Sequence, residues 1–320
     1  MQMLKYVIKR VLLMIMTFFI IMTMCFILVK LLKDPVTCAP GTDTCYAEMQ
    51  WREALGYNKP ILVQYWIFLT NVFTKFNWGV GFRMYPLQSV VGIMTQKLLP
   101  TMYVNFFAVI LSIPIGLIFG TFAALRKNKW EDQVISVGVM LVISVPSYIY
   151  CFIIQYLLCV LGGFPLVVSS STAYFTWDVF YTYIPAIICL SLGTVAGLTR
   201  YTRAELTEVL TSEFMLLARA KGLTRAQATV RHAFRNSMVP IFPMILGEFI
   251  SILGGSLIVE NFFSIPGVGQ MYLTSIQQKD YGFFMFISMF YVAIGLVAGL
   301  IVDLSYGFVD PRIRMGGKKV

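Results

Sequence analysis

Six long apolar runs dominate the chain, and short polar or charged stretches separate them. The runs cover residues 9–32, 101–125, 134–161, 180–199, 238–259 and 283–306. A helix needs roughly 20 apolar residues to cross a bilayer, and backbone groups inside the hydrocarbon must pair within a helix or a closed barrel. Runs of this length favour helices. The pattern therefore predicts an all-α, polytopic membrane protein with six transmembrane helices.

Basic residues predict the side that each connection faces. Three Lys or Arg lie within the first ten residues, three lie in 126–129, seven lie from Arg200 to Arg235, and four follow residue 310. Positively charged connections stay on the cytoplasmic side, so both termini are expected there. The segment 33–100 is expected outside, because a connection longer than about 60 residues is largely exempt from this rule. The net charge of +10 is therefore interpreted as topology rather than as nucleic-acid binding.

Composition and the absence of repeats favour one membrane domain over residues 1–320. The chain has 58% apolar and 12% charged residues, far from the balance of a soluble domain. Its first apolar run exceeds the roughly 7–15 residues of a secretion signal, so a retained span is expected. Segment 33–100 is rich in aromatic residues, which predicts an extracytoplasmic segment with interfacial helices. The expected location is the cell membrane.

Cysteine and histidine usage gives little sign of catalysis. Four of the six cysteines lie in apolar runs, where packing is the expected role. Cys38 and Cys45 flank a Pro-Gly turn in the outer segment, so they either form a short disulfide or remain reduced. The only histidine, His232, lies in a charged loop. We therefore predict no metal site and no enzyme active site in this chain.

The loop 200–237 carries apolar residues at helical spacing and predicts two short amphipathic helices. The two sets are Leu206, Leu210, Phe214 and Leu217, and Ala226, Val230 and Phe234. Gly222 is predicted to break the run, and Thr224 with Gln227 has the form of a capping box that restarts a helix. Basic residues on the polar faces leave two interpretations, a helix lying on anionic lipid or a docking surface for a protein partner.

This loop resembles the EAA loop of permeases in ATP-binding-cassette importers of the oligopeptide/dipeptide/nickel type. The resemblance lies in Ala218-Arg-Ala-Lys-Gly222-Leu, followed by Arg231-His-Ala-Phe-Arg-Asn236. Other patches in the same order extend it over nearly the whole chain, including Val259-Glu-Asn-Phe-Phe-Ser-Ile-Pro-Gly-Val-Gly269 and Asp310-Pro-Arg-Ile-Arg314. One departure is the Glu-Ala-Ala triplet of the general motif, which is Leu216-Leu-Ala218 here.

The resemblance implies a type I importer permease fold and a channel-forming subunit of an importer of oligopeptides or dipeptides. It also implies a second homologous permease, two ATPase subunits that hold ATP and Mg, and an extracytoplasmic solute-binding protein. The chain itself has no G-x-x-x-x-G-K-[ST] loop, so no nucleotide site is expected in it. Lipid is the other expected partner.

The helix before Gly222 would be the coupling helix of such a permease. Its implied residues are Glu213, Phe214, Leu217, Ala218, Arg219, Ala220, Lys221 and Gly222. Phe214 and Leu217 would grip a groove on an ATPase. The alternative is that both residues cover the ends of this chain's own spans.

Polar residues within the runs are candidates for the translocation path. Glu248 lies inside the fifth run, where an acid either faces the path or bonds to a neighbouring span. Ser144, Ser147 and Ser251 are further candidates, and Pro146 predicts an interruption of the third run.

The connection after the fifth run is predicted to be an outer gate or a contact for the binding protein. Its candidates are Glu260, Asn261, Pro266 and Gly267, and a simple connecting loop is the alternative. Two other functions remain open: an importer of nickel or another solute in the same family, and a proton-coupled secondary transporter that uses Glu248.

Overall fold

The computed structural model describes residues 2–32, 41–169, 171 and 173–309. Within these residues the fold is all-α, and the only β-pairing is two isolated bridges. The helices are α1 Gln2–Leu31, α2 Asp43–Ala54, α3 Ile61–Lys75, α4 Val90–Leu125, α5 Trp130–Ser144, α6 Ser147–Ile154, α7 Trp177–Leu210, α8 Glu213–Ala220, α9 Arg225–Ala228, α10 Phe234–Ser251, α11 Leu257–Phe262, α12 Val268–Gln277 and α13 Tyr281–Val309. Two π-helical segments, Gln155–Leu161 and Thr229–Ala233, continue α6 and α9.

Four helices, α1, α4, α7 and α13, are long and apolar enough to cross a membrane. Helices α5 and α6 together make a fifth candidate, although they meet at an angle of 108°. Pro146 lies at this break, so the predicted interruption of the third run is confirmed. The run 238–259 divides differently from the prediction, because α10 ends at Ser251 and α11 follows only after a turn.

The segment 33–100, which is predicted to lie outside, contains α2, α3 and the first turns of α4. Ser89 caps α4 through its side chain, so this helix begins eleven residues earlier than the apolar run at 101. Helix α3 packs lengthwise on α1: the hydroxyls of Tyr65 and Thr23 lie 2.6 Å apart, and the rings of Phe73 and Phe19 stack at 5.2 Å. The aromatic residues of α3 therefore pack along a predicted span, and the interfacial position of this segment stays a prediction.

Helices α4 and α7 approach each other more closely than side chains of ordinary size would allow. A Cβ atom added at Gly116 would lie 2.6 Å from the Cβ of Leu198, and one at Gly120 would lie 2.5 Å from the Cβ of Thr202. The Thr199 hydroxyl donates a hydrogen bond to the Gly116 carbonyl at 3.3 Å. Small residues four apart are a common means of bringing membrane helices into backbone contact.

Helix α13 runs antiparallel to α1. Arg10 and Asp303 form an ion pair of 3.0 Å near one end. Met22 and Phe26 of α1 pack against Met285 and Met289 of α13 near the other end. The first and last predicted spans are therefore neighbours.

Candidate functional site

The connection between α7 and α10 folds as short helices separated by a sharp corner. Gly222 has φ +90° and ends the segment that contains α8. Thr224 then starts α9 with a capping box, in which the Gln227 N–H donates to the Thr224 hydroxyl at 3.3 Å and the Thr224 N–H donates to the Gln227 side chain at 3.1 Å. The predicted corner and capping box are both confirmed.

Helix α8 has one buried face and one exposed apolar ridge. Met215 and Ala218 pack inward with Leu206 of α7 and Ala124 of α4. Phe214 and Leu217 are 41% and 58% exposed. The side chains that cover this chain's own span ends are therefore Met215 and Ala218, and the alternative role for the ridge is not supported.

The remaining residues of the predicted coupling helix lie in the open. Glu213, Arg219, Ala220, Lys221 and Gly222 are all exposed. A surface that combines a charged rim with an apolar ridge is suited to binding in a groove on a protein partner. Binding would bury the apolar ridge away from water, and the charged rim would fix the orientation of the helix in the groove.

In the second amphipathic set, Ala226 and Val230 are exposed and Phe234 is half-buried. Val230 is 74% exposed, whereas Ala228 and Ala233 are fully buried. The buried side of this segment is therefore formed by the small residues Ala228 and Ala233, which pack in the same cluster as Leu206 and Met215.

Asp132 and Arg203 join the start of α5 to α7 next to this segment. The carboxylate accepts hydrogen bonds from both Nε and Nη2 of Arg203, the latter at 2.8 Å. It also accepts from the Asn128 N–H at 3.0 Å, and Asp132 itself is 2% exposed. Bidentate pairs of this kind are directional as well as strong. Sequence reasoning missed this pair, since 71 residues separate its members.

The polar residues predicted for a translocation path lie on α5, α6 and α10. Glu248 on α10 is half-buried, and the Thr194 hydroxyl on α7 donates to its carboxylate at 3.2 Å. The Ser251 hydroxyl donates to the Glu248 carbonyl at 2.6 Å. Ser144 and Ser147 flank the break between α5 and α6, and within the described residues no hydrogen bond joins either serine to Glu248.

A carboxylate clamp closes the connection between α10 and α12. Glu260 is fully buried, and it accepts hydrogen bonds from the Thr101 hydroxyl at 3.0 Å and from the N–H groups of Gly269 at 2.7 Å and Gln270 at 3.2 Å. The Thr101 oxygen in turn accepts from the Val268 N–H at 2.8 Å. Both side chains thus cap the positive end of α12, a favourable place for an anion.

Glycines line the clamp, because no side chain would fit beside the carboxylate. A Cβ atom would lie 2.5 Å from the Glu260 Oε1 at Gly255 and 2.9 Å from its Oε2 at Gly269, and Gly267 is similarly close. Asn261 is exposed and Pro266 is half-buried. Since Glu260 and Gly267 are buried, they are not available for an external contact, and the predicted gate or docking role of this segment would rest on its exposed residues.

Cys45 is buried at the start of α2, and Cys38 lies outside the described residues. The predicted disulfide between these two cysteines therefore stays a prediction. Within the described part of the chain, no group of three or more His, Cys, Asp or Glu side chains could hold a metal ion.

Comparison with known proteins identifies the class. Residues 112–315 match the family described as "Binding-protein-dependent transport system inner membrane component", and residues 3–112 match its N-terminal companion. The chain therefore belongs to the family of inner membrane permease components of binding-protein-dependent ABC importers. It is a multi-pass membrane protein, as the apolar helices require.

Individual relatives cover almost the whole chain. The dipeptide transport system permease protein DppB of Lactococcus lactis subsp. cremoris is 34% identical over 98% of this chain and 100% of the relative. DppB of Bacillus subtilis is 31% identical, and the glutathione transport system permease protein GsiC of Shigella flexneri is 30% identical, each over 98% of this chain and 99% of the relative. An amino acid ABC transporter crystallised with histidines shares the fold, with a TM-score of 0.51 and 19% identity over 67% of this chain and 92% of that one.

Proposed function

We propose that this chain is a channel-forming subunit of an ATP-driven importer of oligopeptides or dipeptides, and that α8 is its coupling helix. The single observation that carries the coupling role is the exposed ridge of Phe214 and Leu217 on a helix whose other face is anchored. The names of the relatives, dipeptide and glutathione permeases, favour a peptide substrate. An importer of nickel or another solute is the family alternative, and no observation on the described residues favours it.

The proposed complex contains a second homologous permease, two ATPases that hold ATP and Mg, and an extracytoplasmic binding protein. In it this chain has six spans with both termini in the cytoplasm, so that α8 meets an ATPase. Closure of the ATPase pair moves α8, and the buried contacts of Met215 and Ala218 with Leu206 and Ala124 pass that displacement to α7 and α4.

The path for substrate in this proposal runs between the two permeases. Glu248, Ser251, Ser144 and Ser147 are its candidate lining residues, with the hydrogen bond from Thr194 fixing the position of the Glu248 carboxylate. Exposed Asn261 and half-buried Pro266 form the outer side of the connection that Glu260 clamps from within.

A charge placed on the ridge tests the coupling role. In vesicles that hold the assembled complex, Phe214→Glu should reduce ATP-dependent peptide uptake about tenfold or more, equivalent to ~1.4 kcal/mol, because a carboxylate would be forced into an apolar groove. ATP hydrolysis should continue, and the subunits should still purify together. Val230→Glu is the matched control, since it adds the same charge to an exposed apolar residue outside α8.

Equal uptake by the Phe214→Glu and wild-type complexes would contradict the coupling role of α8. Uptake by the wild-type chain that follows a proton gradient and needs no ATPase would instead favour a secondary transporter. Purification of the tagged chain with ATPase subunits is the simplest first measurement.

A further inference from the structure

A groove of about 590 Å³ lies between α5 and the part of α7 from Thr199 to Ala204. Ile135, Val139 and Ile143 of α5 lie at helical spacing on one wall. Two polar residues of the same helix, Ser136 and Ser144, also line the groove, and Ser144 is the candidate path residue at its far end. From Ile135 to Ile143 the wall is about 12 Å long at 1.5 Å per residue. Arg200 and Arg203 of α7 form the opposite side near one end.

The groove carries one uncompensated positive charge. Arg203 is held by the carboxylate of Asp132, which cancels its charge locally. Arg200 is exposed, and no ion pair or hydrogen bond to its side chain is found within the described residues. The groove thus carries a positive charge near one end, and its α5 wall is mainly apolar.

The position of Arg200 along α7 places this charge at a membrane surface. The apolar run 180–199 ends immediately before it, and twenty residues at 1.5 Å each span about 30 Å, the thickness of the hydrocarbon region. The apolar wall of α5 then extends from that surface into the hydrocarbon. A ligand that satisfies both parts needs an anionic group at the surface and an apolar tail below it.

We propose that the groove between α5 and α7 binds an anionic phospholipid of the cytoplasmic leaflet, with its phosphate on Arg200 and an acyl chain along Ile135, Val139 and Ile143. Basic pockets between membrane helices on the cytoplasmic side are suited to such headgroups, and the planar guanidinium matches phosphate geometry. The sidedness rests on the proposed function, which puts the 200–237 loop in the cytoplasm. The bound lipid holds α5 against α7 within about two turns of Leu206, where α8 is anchored.

The complete importer in lipid nanodiscs provides the test. Phosphatidylglycerol should raise the unfolding temperature of the wild-type complex relative to phosphatidylcholine, and native mass spectrometry should detect retained phosphatidylglycerol. Arg200→Gln, which removes the charge, and Val139→Trp, which fills the apolar part, should each reduce retention at least fivefold. Arg235→Gln, which removes an exposed base outside the groove, should retain the lipid as the wild type does.

Three outcomes would overturn the lipid site. The first is undiminished retention of phosphatidylglycerol by Arg200→Gln, which does not depend on how well Val139→Trp folds. The second is equal stabilisation by inorganic phosphate in phosphatidylcholine discs, because a free anion would then suffice. The third is an efficient cross-link from Val139→Cys to the second permease, because protein would then cover the groove. ATP-dependent uptake by the wild-type complex is measured separately, so failure of the proposed function is recognised independently of lipid retention.

Discussion

Removing the Glu260 carboxylate should destabilise the protein more than any exposed substitution nearby. In Glu260→Ala the Thr101 hydroxyl and the N–H groups of Gly269 and Gln270 lose their acceptor in a fully buried place. Each buried donor left unpaired costs about 1–3 kcal/mol, and entry of water into the space recovers part of this, so we expect a loss of about 3–5 kcal/mol. Glu260→Gln keeps the shape and one acceptor oxygen, and should cost about 1.5–3 kcal/mol.

Thermal unfolding of the purified protein in detergent measures this loss. For a chain of this size, 1 kcal/mol corresponds to about 2 °C, so Glu260→Ala should unfold roughly 6–10 °C below the wild type. Asn261→Ala is the control, because the neighbouring side chain is exposed and should change stability by no more than about 0.5 kcal/mol. If Glu260→Ala unfolds within 1 °C of Asn261→Ala, the clamp does not stabilise the fold and the reasoning from its hydrogen bonds is refuted.

Two further predictions concern the segment next to α8. Gly222→Ala should reduce the uptake achieved per ATP hydrolysed, because Ala at φ +90° costs about 1–2 kcal/mol. Gly222→Asn should have a milder effect, since Asn tolerates a positive φ. Equal ratios of uptake to ATP hydrolysis in the two variants would argue against a conformational cause. Asp132→Ala should lower stability by about 1.5–3 kcal/mol because it removes the carboxylate that accepts hydrogen bonds from the one-third exposed guanidinium of Arg203. The exchanged pair Asp132→Arg with Arg203→Asp should recover part of that loss in thermal unfolding, and no recovery would mean that packing alone matters at these positions.

Local patterns predicted the helices and the corner at Gly222 because those features depend on residues a few positions apart. Apolar length identified α1, α4, α7 and α13, and the Thr224 capping box was recognisable from its spacing. The helical spacing of apolar residues gave a wrong prediction at the junction of α7 and α8, because it placed Leu206 and Phe214 on one face. The helix ends at Leu210 and a new one starts at Glu213, so the helical repeat does not carry across the junction.

Long-range pairs could not be predicted, because spacing along the chain carries no information about them. Thr101 and Glu260 are 159 residues apart, and Asp132 and Arg203 are 71 apart. One local signal did exist: the glycines on both sides of Glu260 indicated that something must approach the backbone closely. The sequence alone did not indicate that the approaching group was the carboxylate itself.

The glycine contact between α4 and α7 decides which parts of the molecule are free to move. The side chains of Leu198 and Thr202 on α7 pack directly against Gly116 and Gly120 on α4. A shift of one helix past the other would have to break these contacts. Close-packed surfaces of this kind have few alternative arrangements. The two helices must therefore turn as one rigid body. Opening and closing of the chain would then occur at junctions between helices, such as the 108° bend between α5 and α6 at Pro146.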